Sequence, residues 1–164
     1  MNDIQVKICD GTHNVNLLKT HVKDIDKLSA LSMASEDTYS GAFKRDKKQV
    51  PYKGAKLVKH LVDRNIAVLL AISIEKDGKK VVGMVELGNS LLHKVCRIST
   101  ITILPNFRKL GIGALLMQTA EEYAKNTLNM KGCLLTVLAG NKNARGMYSH
   151  IGYTEHAITM VKSI

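Results

Sequence analysis

The spacing of apolar positions switches between a strand-like period and a helical one along the chain. Ile4, Val6 and Ile8 alternate with polar residues, Asp10-Gly11 is a turn signal, and Val15-Asn-Leu-Leu-Lys follows. Together these predict a short N-terminal hairpin. The helical period comes next. Asp24 stands as a cap ahead of Ile25, Leu28 and Leu31, and this helix is expected to end near the polar stretch that opens at Ser35. Ala55, Val58, Leu61 and Val62 predict a second short amphipathic helix that stops near Asn65.

From Ile66 the pattern becomes that of strands. Ala67-Val-Leu-Leu-Ala-Ile-Ser-Ile, the turn Lys76-Asp-Gly-Lys, and Val81-Val-Gly-Met-Val-Glu-Leu predict an antiparallel hairpin closed by a Gly-containing loop. A third strand is expected over 97–104, and its alternation slips: Ile98 lies on one face, Ile101 and Ile103 on the other. Either a bulge near Ser99 and Thr100 resets the count, or the strand is buried on both faces. Pro105 ends it. Residues 111–125 form the clearest helix, with Ile112, Leu115, Leu116, Thr119, Ala120 and Tyr123 on one stripe. Cys133-Leu-Leu-Thr-Val-Leu-Ala is apolar almost throughout and reads as a central strand. A short helix over 143–151, stopped by Gly152, and a last strand over 153–162 complete the chain. The expected order is ββ, αα, βββ, α, β, α, β. It is a mixed α/β fold, and the antiparallel meander before the strand-helix-strand crossover excludes a doubly wound sheet.

Composition narrows the class. With 164 residues, 45% of them apolar, the chain reads as one domain over 1–164 with a single core of Leu, Ile, Val, Ala and Met. The start carries no cationic stretch followed by an apolar run, so no signal peptide is expected. The longest apolar run, 66–74, contains Ser73 and is far short of the roughly 20 residues of a spanning helix, so neither a membrane span nor a membrane partner is expected. Five Tyr, two Phe and no Trp argue against an aromatic RNA-binding platform. Cys9, Cys96 and Cys133 are widely spaced, with no Cys-x-x-Cys and no paired His. They read as buried free thiols of a cytoplasmic protein, and no metal site is expected.

The chemistry concentrates in one loop. Ile101-Thr-Ile-Leu-Pro-Asn-Phe-Arg-Lys-Leu-Gly-Ile-Gly-Ala runs from a strand through a basic, glycine-containing loop into a helix start. A helix start leaves N–H groups unpaired and carries partial positive charge, and glycine lets a phosphate approach the main chain. Arg108 and Lys109 add full charges. The segment is neither a P-loop nor the dinucleotide fingerprint, because no Gly-Lys-Ser/Thr follows and only two glycines stand at spacing i, i+2.

Arg108-Lys-Leu-Gly-Ile-Gly resembles the pyrophosphate loop, Arg/Gln-x-x-Gly-x-Gly/Ala, of the GNAT superfamily of N-acetyltransferases. About 30 residues downstream, Asn141, Ala144, Tyr148, Gly152 and Tyr153 look like that family's second motif, in which a strand leads to Asn-x-x-Ala, a Tyr four residues on, and then Gly followed by an aromatic. The resemblance covers residues 66–164 well, and the N-terminal third in layout only. It implies a mixed, mostly antiparallel central sheet with flanking helices and a splayed pair of parallel strands, here 97–104 and 133–139. Acetyl-CoA is the implied co-substrate and a primary amine the implied acceptor, attacked directly in a ternary complex. Ile101, Thr102 and Ile103 would meet the pantetheine arm through their backbone, and the N–H groups of Arg108, Lys109, Leu110, Gly111, Ile112 and Gly113 would hold the pyrophosphate. Tyr148 takes the family's position for the acid that protonates the departing thiolate; Asn141 would cap the following helix, and Asn141, Ala144 and Tyr148 would border the cofactor. Main-chain donors near the splay would stabilise the oxyanion. Where many members place a Glu at the start of the strand before the phosphate loop, this chain has Cys96, Arg97 and Ser99. Glu86, on the preceding strand, is the best acidic alternative for the base. His150 and His156 read as surface residues.

Charge bears on the acceptor. Of the net +10, six lie between Lys44 and Lys59, where Lys44, Arg45, Lys47, Lys48, Lys53, Lys56 and Lys59 face the single anion Asp46. The segment reads as a solvated edge of the acceptor cleft. A nucleic-acid acceptor such as aminoacyl-tRNA is the less favoured alternative, as is a CoA-binding protein without turnover. Glu36 and Asp37 would suit a cationic amine. A monomer and a homodimer are both compatible with the sequence.

Overall fold

The computed structural model describes residues 3–10, 13–39, 54, 56, 58–60, 67–89, 94–160 and 162. Strand β1 (Asp3–Cys9) is followed by helices α1 (Val15–Thr20) and α2 (Val22–Tyr39), then by strands β2 (Ala67–Glu75), β3 (Gly78–Asn89) and β4 (Val95–Ile103). Helix α3 (Ile112–Asn126), strand β5 (Gly132–Leu135) and helix α4 (Lys142–His150) follow. The strands form one sheet in chain order, β1-β2-β3-β4-β5. The first three pairings are antiparallel and the last, β4 with β5, is parallel.

The 67–87 hairpin stands as expected. Lys76 and Asp77 form its loop, and Gly78 takes φ +140°, a conformation open to a residue without Cβ. In β4 the slip of alternation is a bulge: Leu87 pairs with Ile98 and Glu86 with Thr100, which leaves Ser99 as the extra residue. Ile98, Ile101 and Ile103 therefore share one face of the sheet, opposite Leu87, Val85 and Gly83. Helix α3 packs on that face. A Cβ on Gly83 would meet Leu116 at 3.2 Å and Ile103 at 3.3 Å, so glycine is what lets the helix approach. Leu116, Met117, Ala120 and Ala124 of α3 are fully buried or nearly so, against Leu69, Val85, Leu87 and Ile98 of the same core.

Four expectations are corrected. Residues 15–19 are helical, not the second arm of a hairpin. Adjacent Leu17 and Leu18 break a period of two and suit a helix face, and β1 instead pairs along its whole length with β2, from Asp3↔Ile74 to Cys9↔Val68. Asp24 lies inside the first turn of α2, and its Oδ2 accepts from the Val81 N–H at 3.3 Å rather than capping a helix. The expected central strand 133–139 is a four-residue strand at the edge of the described sheet, ending at Leu135, and residues 153–160, most of the expected last strand 153–162, have no regular structure. Along that stretch Ile158 and Met160 are almost fully exposed.

Helix α2 also runs past the expected stop at Ser35, as far as Tyr39. In the helix predicted over 55–65, Lys56 and residues 58–60 are helical, and Val58 is buried. The rest of that helix, most of the basic segment 44–59, and the side chains of Glu36 and Asp37 lie outside the described residues. Among the described residues no helix is long and apolar enough to cross a membrane.

Candidate active site

Strand β4 outruns its parallel neighbour. Pairing with β5 extends from Val95↔Gly132 to Ile98↔Leu135 and stops, while β4 continues beside β3 through Ile103. The pairing ends where Ser99 bulges, and beyond it no strand among the described residues pairs with the edge of β4 that faces away from β3, where Ile101 and Ile103 turn their main-chain groups. A backbone edge of this kind accepts an extended ligand the way a sheet accepts another strand. The Thr102 hydroxyl is buried here with no hydrogen-bond partner.

Beyond Ile103 the chain makes a 3₁₀ turn, Pro105–Phe107, and Lys80 Nζ lies 5.9 Å from the centre of the Phe107 ring. Lys109 (φ +61°) and Gly111 (φ +78°) then take left-handed conformations that swing the chain into α3. Gly111 is the N-cap and offers no side chain to the helix start. The first helical bond to reach it comes from the Leu115 N–H, at 3.0 Å, so the N–H groups of Ile112, Gly113 and Ala114 precede the ladder and point out of the helix. Together with the helix dipole they make an electropositive socket. Arg108 is used differently from its neighbours. Its N–H donates to the Pro105 carbonyl at 3.2 Å and its Nε to the Ile103 carbonyl at 3.1 Å, which ties the loop back onto the end of β4. Lys109, Leu110 and Gly111 are exposed, Ile112 and Gly113 buried. A Cβ on Gly113 would lie 3.0 Å from Met147 Sδ and 3.3 Å from Ile103 Cδ1, so β4, α3 and α4 meet at this one glycine.

Two titratable groups stand out. Glu86 faces Thr100 across the β3–β4 pairing that the bulge created. Burial pushes its carboxyl above the ordinary glutamate range, against the opposing effect of the Thr100 hydrogen bond. A carboxylate held this way is a better proton acceptor than one in water. Tyr148, on α4, is buried, and burial pushes its phenol up, so it keeps its proton at neutral pH. Its ring packs on Tyr153 with centroids 6.0 Å apart. Glu86 is carried by β3 and Tyr148 by α4. Asn141 Oδ1 accepts from the Ala144 N–H at 3.2 Å, capping the helix that carries Tyr148. Arg145 braces the same helix through an ion pair with Glu155 and a bond to the Ala139 carbonyl. His150 and His156 are exposed.

Sequence reasoning passed over Thr100 and Met147. Thr100 becomes the partner of Glu86 only once Ser99 is skipped, and Met147 reaches Gly113 only through the tertiary approach of α4. Neither relation leaves a mark on local spacing.

Residues 33–153 match the model of the Acetyltransferase (GNAT) family. The chain belongs to the GNAT acetyltransferase family. Its fold is shared with solved GNAT-type structures at low identity. An aminoglycoside N-acetyltransferase in complex with CoA superposes with a TM-score of 0.68 at 14% identity, over 100% of this chain and 96% of that one. A ribosomal-protein-alanine N-acetyltransferase of Brucella melitensis biovar Abortus gives 0.63 at 17% identity, over 99% and 100%. A variant of a Bacillus halodurans protein gives 0.71 at 15% identity, over 96% and 99%. No curated protein sequence matches the chain. The mixed sheet, antiparallel except for its β4–β5 pair, is the arrangement that the GNAT resemblance of the two motifs implied.

Proposed function

We propose that this GNAT protein transfers the acetyl group of acetyl-CoA to a primary amine, by direct attack in a ternary complex, with a small molecule as acceptor. The observation that carries the reading is the continuity of one binding track. The edge of β4 at 101–103, which no described strand covers, leads directly, through the Arg108-braced loop, to the N–H groups that precede the helical ladder at the start of α3. An amide-bearing arm bonded along the first part brings its pyrophosphate to the second. The residues present fit that ligand: backbone donors at a helix start, and no carboxylate in the loop to repel phosphate.

Each side chain then has a task. Glu86, made a stronger proton acceptor by burial, takes the proton of the incoming ammonium, directly or through water. Main-chain N–H groups at the end of the β4–β5 pairing face the carbonyl oxygen as it gains charge. Tyr148, still protonated, gives its proton to the leaving sulfur as the C–S bond breaks. No metal enters this scheme.

The test is thiol release from acetyl-CoA with pooled amines, polyamines, amino sugars, peptides and aminoacyl-tRNA as acceptors. Release is expected with a small amine. Tyr148→Phe should lower kcat by about 10²–10⁴-fold while CoA affinity stays within a few-fold. Binding of CoA with no release on any amine would make the protein a silent binder. Release confined to aminoacyl-tRNA, with affinity falling steeply as salt rises, would replace the small-molecule acceptor by a nucleic acid.

A further inference from the structure

Two cysteines widely separated in sequence are brought face to face at the base of the β4–β5 opening. Cys96 and Cys133 are directly paired in the parallel register, two residues before pairing ends at Ile98↔Leu135. Both are free thiols. Directly opposed residues on neighbouring strands point to the same face, with Cα atoms about 4.8 Å apart, inside the roughly 4.4–6.8 Å window that a disulfide spans. The register sets the two side chains side by side, close enough for each thiol to shift the other's titration, Cys96 upward and Cys133 downward.

Their environments differ in the way a two-step thiol exchange needs. Cys96 is buried, with the Gly88 and Arg97 carbonyls 3.8 and 3.9 Å from its sulfur. Cys133 sits on the short edge strand and is partly open to solvent. The hydrogen bond from Cys96 favours the Cys133 thiolate and lowers its pKa, while Cys96, as donor, is pushed up. Around the pair stand Tyr153, Glu121, Tyr123 and, behind Tyr123, Asp10. The Tyr153 hydroxyl is buried without a hydrogen-bond partner and faces Cys133 and Glu121, so it is on hand to donate to a thiolate. The Glu121 carboxylate opposes that thiolate, and Tyr123 is already engaged, donating to Asp10 Oδ2 at 2.9 Å.

We infer that Cys96 and Cys133 form a dithiol–disulfide switch that takes low-molecular-weight disulfides, with Cys133 as the entry thiol and Cys96 as the resolving thiol. The Cys133 thiolate attacks one sulfur of RSSR, forming a Cys133–SR mixed disulfide and releasing RS⁻, which takes a proton. Cys96 then loses its proton and attacks the Cys133 sulfur, releasing the second RS⁻. Two protein thiols are oxidised, one RSSR is reduced to two RSH, and the protein loses two hydrogens. The bond draws the two Cβ atoms to about 3.8 Å and fixes the strand pair two residues before β4 and β5 part. Resting on the acetyl-CoA reading above, the oxidised form binds CoA several-fold more weakly.

Glutathione disulfide is the probe, applied to the folded full chain and read by intact mass and peptide mapping. The expected product has lost two hydrogens, contains a 96–133 cross-link, and leaves Cys9 alkylatable after unfolding. Cys96→Ser should stop at one glutathione on Cys133, and Cys133→Ser should not react at the strand pair. A parent protein that stays reduced, stops at the mixed disulfide, or links Cys9 overturns the inference. Calorimetry with CoA follows on the reduced and oxidised forms. Equal affinity in the two forms overturns the switch. Absence of CoA binding in the reduced form would instead sink the acetyl-CoA reading, and the mass result would still decide the thiol chemistry.

Discussion

Replacing Gly113 by alanine tests the geometry of the anion socket with a single methyl group. The added Cβ would lie 3.0 Å from Met147 Sδ and 3.3 Å from Ile103 Cδ1. Carbon contacts are comfortable at about 3.5–4.0 Å, so α4 and the end of β4 must together yield by several tenths of an ångström. Overpacking of this kind costs about 1–3 kcal/mol. Alanine's advantage over glycine inside a helix, about 1 kcal/mol, offsets part of it. The net loss is therefore about 0–2 kcal/mol, and at about 2–4 °C per kcal/mol for a domain of this size the melting temperature should fall by no more than roughly 8 °C. The protein remains folded. CoA affinity should fall as well, because the shift moves the Gly113 N–H and Ile103 backbone, both on the proposed track. A tenfold rise in Kd corresponds to about 1.4 kcal/mol and is the expected scale. Calorimetric titration with CoA beside a thermal melt measures both. A variant that melts higher than the parent and binds CoA with unchanged affinity would show that Met147 simply steps aside, and the claim that β4, α3 and α4 are locked at this glycine would fall.

Two further outcomes follow from single side chains. Asn141→Ala removes the cap bond to Ala144 and should cost about 0.5–2 kcal/mol, seen as a lower melting temperature, whereas Asn141→Asp should keep most of it. Glu86 carries a pH signature in stability as well as rate. Its pKa is raised in the folded protein above the roughly 4.3 of an exposed glutamate, so its favourable contribution is complete below that value and is lost as pH rises through the folded pKa. Glu86→Gln should therefore melt higher than the parent at pH 7, with the gap closing as pH falls toward about 4, while acetyl transfer at pH 7 drops. A gap that is constant with pH would mean that the carboxylate is not held in a desolvated place.

Local chemistry wrote the parts of this protein that depend on neighbours in sequence. The 67–87 hairpin, α3 with its buried stripe, the glycine-bearing loop ahead of it and the Asn141 cap are all legible because turn residues, apolar period and helix-end chemistry act over a few residues. So are the two motifs that mark the GNAT family. Tertiary structure decided what depends on pairing. Val15 to Lys19 became helix, and β1 pairs along its whole length with β2, a strand far away in sequence, rather than with a neighbouring hairpin arm. The slipped count at Ile98 and Ile101 has two readings in the sequence, and only the register with β3 selects the bulge at Ser99, which sets Glu86 against Thr100 and ends the β4–β5 pairing. The apolar run after Cys133 looked central, yet it lies at the sheet edge and is strand only where β4 bonds it. Cys96 and Cys133, read from spacing as unrelated thiols, are made neighbours by the parallel crossover, because strand register brings together residues that no local interaction connects.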